Sequence, residues 1–157
     1  MGTALQAETP AAARAKVKNW HAPAGKLAAQ ALVESLLASR SDLASVTLHG
    51  VPPGTSVHTM FAGSWPERVG NADDPDDIDI ATKALTVLDP ALSRKGLYEV
   101  MLPLKDGSDQ VIGALVIGFK KADPAQDGRY FYDQALAVQA FLKARIPDAA
   151  SLFRVLP

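Results

Sequence analysis

The sequence predicts an α+β domain built on a central antiparallel sheet of about five strands, and three observations support this. Leu97 to Leu104 alternates between apolar and other residues, as a half-buried strand does. Val111 to Phe119 is apolar throughout and is too short to span a membrane. Segments with helical periodicity precede and follow the strand region. A helix, then mostly antiparallel strands, then a closing helix is an order typical of α+β proteins.

Leu97 to Lys121 predicts a β-hairpin around which the rest of the chain is organised. Asp106-Gly107-Ser108-Asp109 supplies the turn between its two strands. Because Val111 to Phe119 is apolar at every position, we expect both of its faces to be covered, as in a central strand. The first strand should bury one face, formed by Tyr98, Val100, Leu102 and Leu104, and present the other, formed by Glu99, Met101 and Pro103.

Length and composition bound the possible functions. The 157 residues fit one domain, and a net charge of -1 offers no electrostatic footprint for nucleic acid or an anionic membrane. The chain has no cysteine, which excludes disulfides, thiol catalysis and cysteine-ligated metals. It has neither an apolar run long enough to cross a bilayer nor a signal-peptide pattern. We therefore expect no nucleic-acid partner and no membrane insertion of this chain.

The other elements follow from local signals. Residues 1–22 predict a flexible lead-in, and residues 23–157 predict a single domain. Pro52-Pro53-Gly54 predicts a type II turn between strands at Val46 to Val51 and Val57 to Ala62, which would place His49 opposite His58. A helix over Ala24 to Ser39 is expected to carry an apolar stripe, and a closing helix a second one. These stripes are Leu27, Ala31, Leu32, Leu36 and Leu37 in the first helix, and Phe131, Ala135, Val138, Leu142 and Ile146 in the second.

An acidic run in the middle of the chain predicts the start of a short helix. Asp74 suits the N-cap, Pro75 the first helical position, and Asp76 and Asp77 the first turn. An EF-hand loop starting at Asp73 fails, because Ile78 and Ala84 occupy the positions that need glycine and glutamate. The favoured interpretation is a helix N-terminus with solvated carboxylates. Leu85 to Leu88 is expected to form a short strand or edge segment, and the apolar tail after Pro147 to dock on the body.

Catalytic motifs are weak in this sequence. His49 and His58 could form a cross-strand metal pair, but without a third ligand an exposed or edge-strand pair is favoured. A serine hydrolase lacks the G-x-S-x-G elbow, and Ser64 is the only serine with suggestive neighbours. Gly113 and Gly118 lie inside a strand pattern, which indicates close packing or room above the sheet and not a nucleotide-binding turn.

Trp65, Arg68 and Tyr98 are the best binding candidates. An indole, a guanidinium and a phenol near one end of a sheet could hold a small carboxylate or amine. The alternative remains that Trp65 covers the core, Arg68 pairs with nearby aspartates and Tyr98 belongs to the apolar face of its strand.

Three stretches together resemble extracytoplasmic PAS-like sensor domains of the Cache superfamily, of the single Cache type. They are Pro66 to Gly70 (PERVG), Asp73 to Asp77 (DDPDD) and the hairpin YEVMLPLKDGSDQVIGALVIGFK, and the likeness covers roughly residues 25 to 146. PAS and GAF domains carry a similar second hairpin strand. The resemblance implies a long N-terminal helix, a central antiparallel sheet, a lid-like middle section over Gly63 to Lys83 and a C-terminal helix.

It also implies non-catalytic sensing, in signal transduction, of a small molecule such as an amino acid, carboxylate or amine, without a cofactor. The location implied is periplasmic or secreted, as an excised receptor fragment or a stand-alone protein. One alternative is a cytoplasmic GAF- or PAS-like regulatory module that binds a nucleotide or cofactor, with a homodimer through the N-terminal helix. Another is a histidine-carboxylate hydrolase. The predicted ligand-binding residues are Phe61, Ser64, Trp65, Arg68, Tyr98 and Met101.

Overall fold

The fold is a five-stranded antiparallel sheet with helices on both faces, which confirms the α+β prediction. The structure is a computed structural model that describes residues 17–157. The strand order is β2-β1-β5-β4-β3, so the second strand of the predicted hairpin is central. In chain order the elements are α1 (Ala28–Ser39), β1 (Leu43–Gly50), β2 (Thr59–Gly63), α2 (Pro75–Lys83), β3 (Val87–Asp89), β4 (Leu97–Lys105), β5 (Val111–Lys120) and α3 (Gly128–Lys143).

The hairpin β4–β5 is the longest pairing in the sheet, running from Leu97 opposite Lys120 to Lys105 opposite Val111. The side chain of Asp106 closes its turn, since Oδ1 accepts hydrogen bonds from the backbone N–H groups of Ser108 (2.8 Å) and Gln110 (3.1 Å). On its other side β5 pairs with β1. The predicted turn and the central position of β5 are both confirmed.

One face of the sheet packs against α1 and α3 and forms the main hydrophobic core. The predicted face of β4, with Tyr98 at one end, lies here, and the Tyr98 ring stacks on Phe131 of α3 at 4.5 Å between centroids. Gln30 fastens α1 to β2 because its side-chain amide both donates to and accepts from the backbone of Gly63. Four residues of the stripe predicted for the closing helix, Phe131, Ala135, Val138 and Leu142, are buried on α3 as expected. Ile146 is also buried, but it lies just after α3 ends at Lys143.

The first helix begins four residues later than predicted, and its buried face agrees only in part with the predicted stripe. Gly25 has φ +98°, and Leu27 is extended and bridges to Val155 in the C-terminal tail. These tail contacts hold residues 25–27 outside the helix. The buried side chains of α1 are Ala29, Val33 and Leu36. Of the predicted stripe, Leu36 is buried on α1, Leu32 and Leu37 are partly buried against the core, and Leu27 is buried just before the helix.

The predicted register between β1 and β2 is wrong. Gly54 does adopt the expected positive φ of +75°, and Thr55 N–H donates to the carbonyl of Pro52. However, β2 begins only at Thr59, so residues 51–58 form a longer connection and not a tight symmetric turn. A register shift between Leu48 and His49 adds to this, and His49 faces Met60 instead of His58.

The second face of the sheet is covered by α2 and the segments around it, as expected of a lid-like middle section. Asp74 and Asp77 form the capping box at the start of α2, with Pro75 at the first turn, and this confirms the predicted helix start. Ile80 is fully buried and anchors α2 on the sheet. The short strand predicted near Leu85 to Leu88 is the edge strand β3, shifted to Val87–Asp89.

The two ends of the described chain lie against the body. Phe153 in the tail packs on Phe61 at 4.6 Å between ring centroids, which confirms the predicted docking. Of the predicted lead-in, residues 1–22, the first 16 residues lie outside the described part of the chain. Within the described part of the lead-in, Asn19 N–H donates to the carbonyl of Gly70 at 2.9 Å. The boundary at residue 22 stays a prediction. Within residues 17–157 no helix is long and apolar enough to cross a membrane.

Candidate functional site

A cavity of about 670 Å³ lies between the second face of the sheet and the segment carrying α2. Its floor follows from the period-two alternation of the strands, because the residues between the core positions must point to the opposite face. On β4 these are Glu99 and Met101, and on β5 the central one is Val116. On β1 they are Ser45, Thr47 and His49. The sheet therefore presents an apolar face to α1 and α3 and a mixed, polar face to the cavity.

Trp65 and Arg68 line the cavity from the loop after β2. A single 3-10 turn, Pro66–Arg68, brings the Arg68 guanidinium over the Trp65 indole at 4.2 Å from the ring centroid. Nε of Arg68 is buried and has no hydrogen-bond partner within the described residues. A buried N–H donor without a partner is costly, and this makes the Arg68 guanidinium a candidate for pairing with a ligand.

The loop that holds Arg68 is braced by the residues on either side of it and by the start of the described chain. Gly70 N–H donates to the carbonyl of Met60 at 2.8 Å, which closes the loop onto β2. The ammonium of Lys18 donates to the carbonyls of Glu67 (2.9 Å) and Val69 (2.6 Å). Trp65 and Arg68 are thus carried by a loop with fixed ends, which limits the ordering cost of binding.

His49 lies on the same floor and joins the sheet to the acidic segment. Its Nδ1 lies 2.7 Å from Oδ1 of Asp73 and 3.6 Å from Oδ2 of Asp77, and its Nε2 lies 2.8 Å from Oγ1 of Thr47. The Asp73 side chain is only 1% exposed. The interpretation of this run as solvated carboxylates is therefore wrong for Asp73 and Asp77, because α2 packs its first turn against the sheet.

Neighbouring charges set the pKa values in this group. Burial lowers the pKa of His49, but the hydrogen bond to Asp73 and the negative charges of Asp77, Asp73 and Asp74 outweigh it and raise the pKa above its ordinary value. Burial raises the pKa of Asp77; the His49 charge opposes this, and Asp73 and Asp74 add to it. The acidic side chains thus favour the protonated form of His49 more than water does for a free imidazole.

A second acidic pair lies at the β3 edge of the cavity. Glu99 on β4 stands opposite Asp89 on β3, and both line the cavity. Burial raises the pKa of Glu99, and the nearby charges of Asp89 and Asp77 raise it further. No hydrogen bond to Glu99 is formed within the described part of the chain. This carboxylate can therefore accept hydrogen bonds from a cationic ligand group.

The structure brings only part of the predicted ligand-binding set to this cavity. Trp65, Arg68 and Met101 line it. Tyr98 lies on the opposite face of β4, since it precedes the cavity-facing Glu99 by one residue. Phe61 also packs into the core and lines a separate cavity of about 280 Å³ beside α1. Ser64 bonds through Oγ to the backbone of Val46. The trio of Trp65, Arg68 and Tyr98 is not assembled, and a role of any predicted residue in binding stays a prediction.

Sequence reasoning missed His49, Asp73, Asp77 and Glu99 as cavity residues. The period-two pattern already assigned Glu99 and Met101 to one face of β4, and that signal could have placed Glu99 beside Met101. The pairing of His49 with Asp73 spans 24 residues and carries no local signal. The predicted metal pair of His49 and His58 does not form, because His58 precedes β2 and lies outside the cavity lining.

Comparisons with known proteins identify the fold. No family model matches the sequence, and no curated protein matches it significantly. The GAF domain of A. aeolicus nlh2, in an inactive state, covers 76% of this chain and 87% of its own, at 14% identity and a TM-score of 0.52. The Agobacterium tumefaciens repressor BlcR covers 78% of this chain and 68% of its own, at 12% identity and a TM-score of 0.50. These likenesses show a shared PAS/GAF-like fold.

Proposed function

We propose that this chain is a non-catalytic sensor domain that binds a small zwitterion, such as an amino acid, or a related carboxylate or amine, in the cavity above β1, β5 and β4. The observation that carries the proposal is that opposite charges line one cavity. Arg68, whose Nε has no hydrogen-bond partner within residues 17–157, lines it together with the carboxylates of Asp89 and Glu99. A guanidinium favours a carboxylate through charge-assisted hydrogen bonds. The two acidic side chains favour an ammonium group.

The shape and charge of the cavity support this class of ligand over a nucleotide. A volume of about 670 Å³ lies within the usual range for small-molecule sites, which combine apolar walls with a few polar groups. Met101, Val116 and Trp65 supply apolar and aromatic surface. Six aspartate or glutamate side chains line the cavity, and they would repel the phosphates of a nucleotide.

We propose binding without chemistry because the sequence carries neither a G-x-S-x-G elbow nor a cysteine nucleophile. We also propose an extracytoplasmic location and a Cache relationship, which rest on the motif resemblance alone. Fractionation of cells expressing the native gene tests the location.

The proposal is tested by a thermal-shift screen of amino acids, amines and organic acids with the protein freed of metal by a chelator. A ligand at 100 times its Kd stabilises the folded state by about 2.7 kcal/mol. At about 2–4 °C per kcal/mol for a chain of this size, Tm should rise by about 5–10 °C. We expect the hits to carry a carboxylate, an ammonium group or both.

Arg68→Ala should weaken a hit that carries a carboxylate by at least tenfold, measured by calorimetry, while a hit with only an amine is less affected. Arg129→Ala is the matched control, since Arg129 is exposed near the start of α3 on the other side of the sheet. An unchanged Kd in Arg68→Ala, or equal losses in the two variants, would show that the ligand binds elsewhere. A screen without any hit would contradict the proposed function.

A further inference from the structure

Three side chains that meet under α2 have the composition of an open metal site. His49 contributes a nitrogen from the sheet, and Asp73 and Asp77 contribute carboxylate oxygens from the segment that covers it. One ligand atom from each residue lies within 4.8 Å of the others. The donors thus come from two separate elements that the fold presses together, and they mix nitrogen with oxygen.

The distances between the donor atoms suit a small divalent ion. Metal–ligand bonds of about 2.0–2.2 Å to histidine and carboxylate place the ligand atoms about 3.4 Å apart in a tetrahedral site. Nδ1 of His49 and Oδ2 of Asp77 are 3.6 Å apart. Nδ1 and Oδ1 of Asp73 are closer, at 2.7 Å, because a proton lies between them. A metal ion would take the place of that proton, which leaves to solvent, and the two atoms would separate by less than about 1 Å.

The imidazole is already oriented for such a role. Nε2 of His49 lies 2.8 Å from the hydroxyl of Thr47, itself 7% exposed, and this contact directs Nδ1 toward the two aspartates. Histidine ligands in metal sites characteristically donate their second ring N–H to such an oxygen, which fixes the tautomer and the ring. Thr47 is therefore a positioning residue for the site.

The negative charge of the two aspartates also favours a bound cation. Asp73 and Asp77 carry side chains only 1% and 13% exposed, so together they place two nearly buried negative charges beside one imidazole. Even a protonated His49 leaves one of these charges uncompensated, and buried carboxylates without a compensating charge are costly. A divalent ion balances both aspartates at once.

We propose that His49, Asp73 and Asp77 form a binding site for a first-row divalent transition-metal ion at the floor of the cavity. Imidazole and carboxylate donors suit ions such as Zn²⁺, Co²⁺ and Mn²⁺, whereas Mg²⁺ and Ca²⁺ prefer all-oxygen sites. Three protein ligands leave at least one coordination position, and the cavity is the side on which it opens. The site does not depend on the proposed amino-acid ligand.

The test is a titration of the full chain, first treated with a chelator and free of organic ligand, with Zn²⁺ by calorimetry and Co²⁺ by visible absorption. We expect one ion per chain and a Co²⁺ spectrum of low coordination number. His49→Gln should weaken binding by at least about 100-fold, more than the loss of an outer partner. Asp77→Asn should weaken it strongly as well, and Thr47→Val by about 10–100-fold.

His21→Gln and Asp79→Asn are the matched controls, because His21 is exposed near the start of the described chain and Asp79 pairs with Lys83 on α2. Both should bind metal as the wild type does. The inference is overturned if the wild type binds neither ion, or if a control loses as much affinity as His49→Gln. If His49→Gln fails to fold, the metal affinity of the nearly isosteric Asp77→Asn and the Co²⁺ spectrum of the wild type test the inference instead. The amino-acid screen uses chelated protein, so either proposal can fail alone.

Discussion

The two faces of β5 should respond differently to the same kind of mutation. Leu115 and Val116 are adjacent, but Leu115 is fully buried in the helix-covered core and Val116 is only partly buried on the cavity floor. We expect Leu115→Ala to destabilise the protein much more than Val116→Ala does. Both substitutions lie at adjacent positions of the same strand and introduce the same residue, alanine. The difference between their unfolding free energies therefore reports the environment of each face.

The magnitudes follow from burial. Replacing a buried leucine by alanine removes its hydrophobic transfer energy and leaves a closed void, which together cost about 3 kcal/mol within a range of about 2–5 kcal/mol. Val116→Ala removes two carbon groups worth about 0.8 kcal/mol each when fully buried, and it only enlarges an open cavity. A cost of about 1 kcal/mol is therefore expected. The difference of about 2 kcal/mol corresponds to about 4–8 °C in Tm.

The assay is urea unfolding followed by circular dichroism, with thermal melts in parallel. Equal slopes of free energy against urea for the wild type and both variants are required before the free energies are compared. For a ligand found in the screen, Val116→Ala should change Kd and Leu115→Ala should leave it unchanged below its lower Tm. Equal destabilisation by the two variants, or a greater loss in Val116→Ala, would refute the assignment of the second face to a cavity.

Two further predictions concern the acidic residues. Asp74→Ala removes the capping box with Asp77 at the start of α2 and should cost about 1 kcal/mol of stability, which lowers Tm by about 2–4 °C. The control Asp123→Ala, in the loop before α3, should lower Tm less. Glu99→Gln should raise Tm at pH 7. The folded state raises the pKa of Glu99, so its ionised form destabilises the fold above that pKa and the penalty disappears as pH falls through it. In the glutamine variant this part of the pH dependence of Tm should vanish, and its persistence would contradict the assignment.

Elements with a complete local pattern were predicted well from the sequence. The alternation from Tyr98 to Leu104 and the spacing from Phe131 to Leu142 each repeat several times within one element, so each fixes both the element and its buried face. The start of α1 depends instead on the bridge between Leu27 and Val155, which are 128 residues apart. No local propensity can report such a contact.

The candidate site was predicted less well, for the same reason. Capping rules placed the start of α2 at Asp74 correctly, but they do not show which surface the first turn of the helix packs against. Only the fold shows that Asp73 and Asp77 contact His49. The expected role of Tyr98 illustrates a second cause. Its position near the end of a strand suggested a pocket residue, but the alternation along β4 places its side chain on the core face.

The polar second face also bears on why this sheet should bind anything. A sheet kept only for stability would carry apolar side chains where Thr47, His49 and Glu99 stand, because α2 covers that face and buries much of it. Native proteins retain residues that oppose folding chiefly where function needs them. If Glu99→Gln raises Tm and also weakens an amine-bearing ligand, the carboxylate is held at a cost to stability for the sake of binding. If Tm rises and the affinity does not change, the ammonium end of the ligand does not lie at Asp89 and Glu99, and the orientation proposed from Arg68 must be reversed or abandoned.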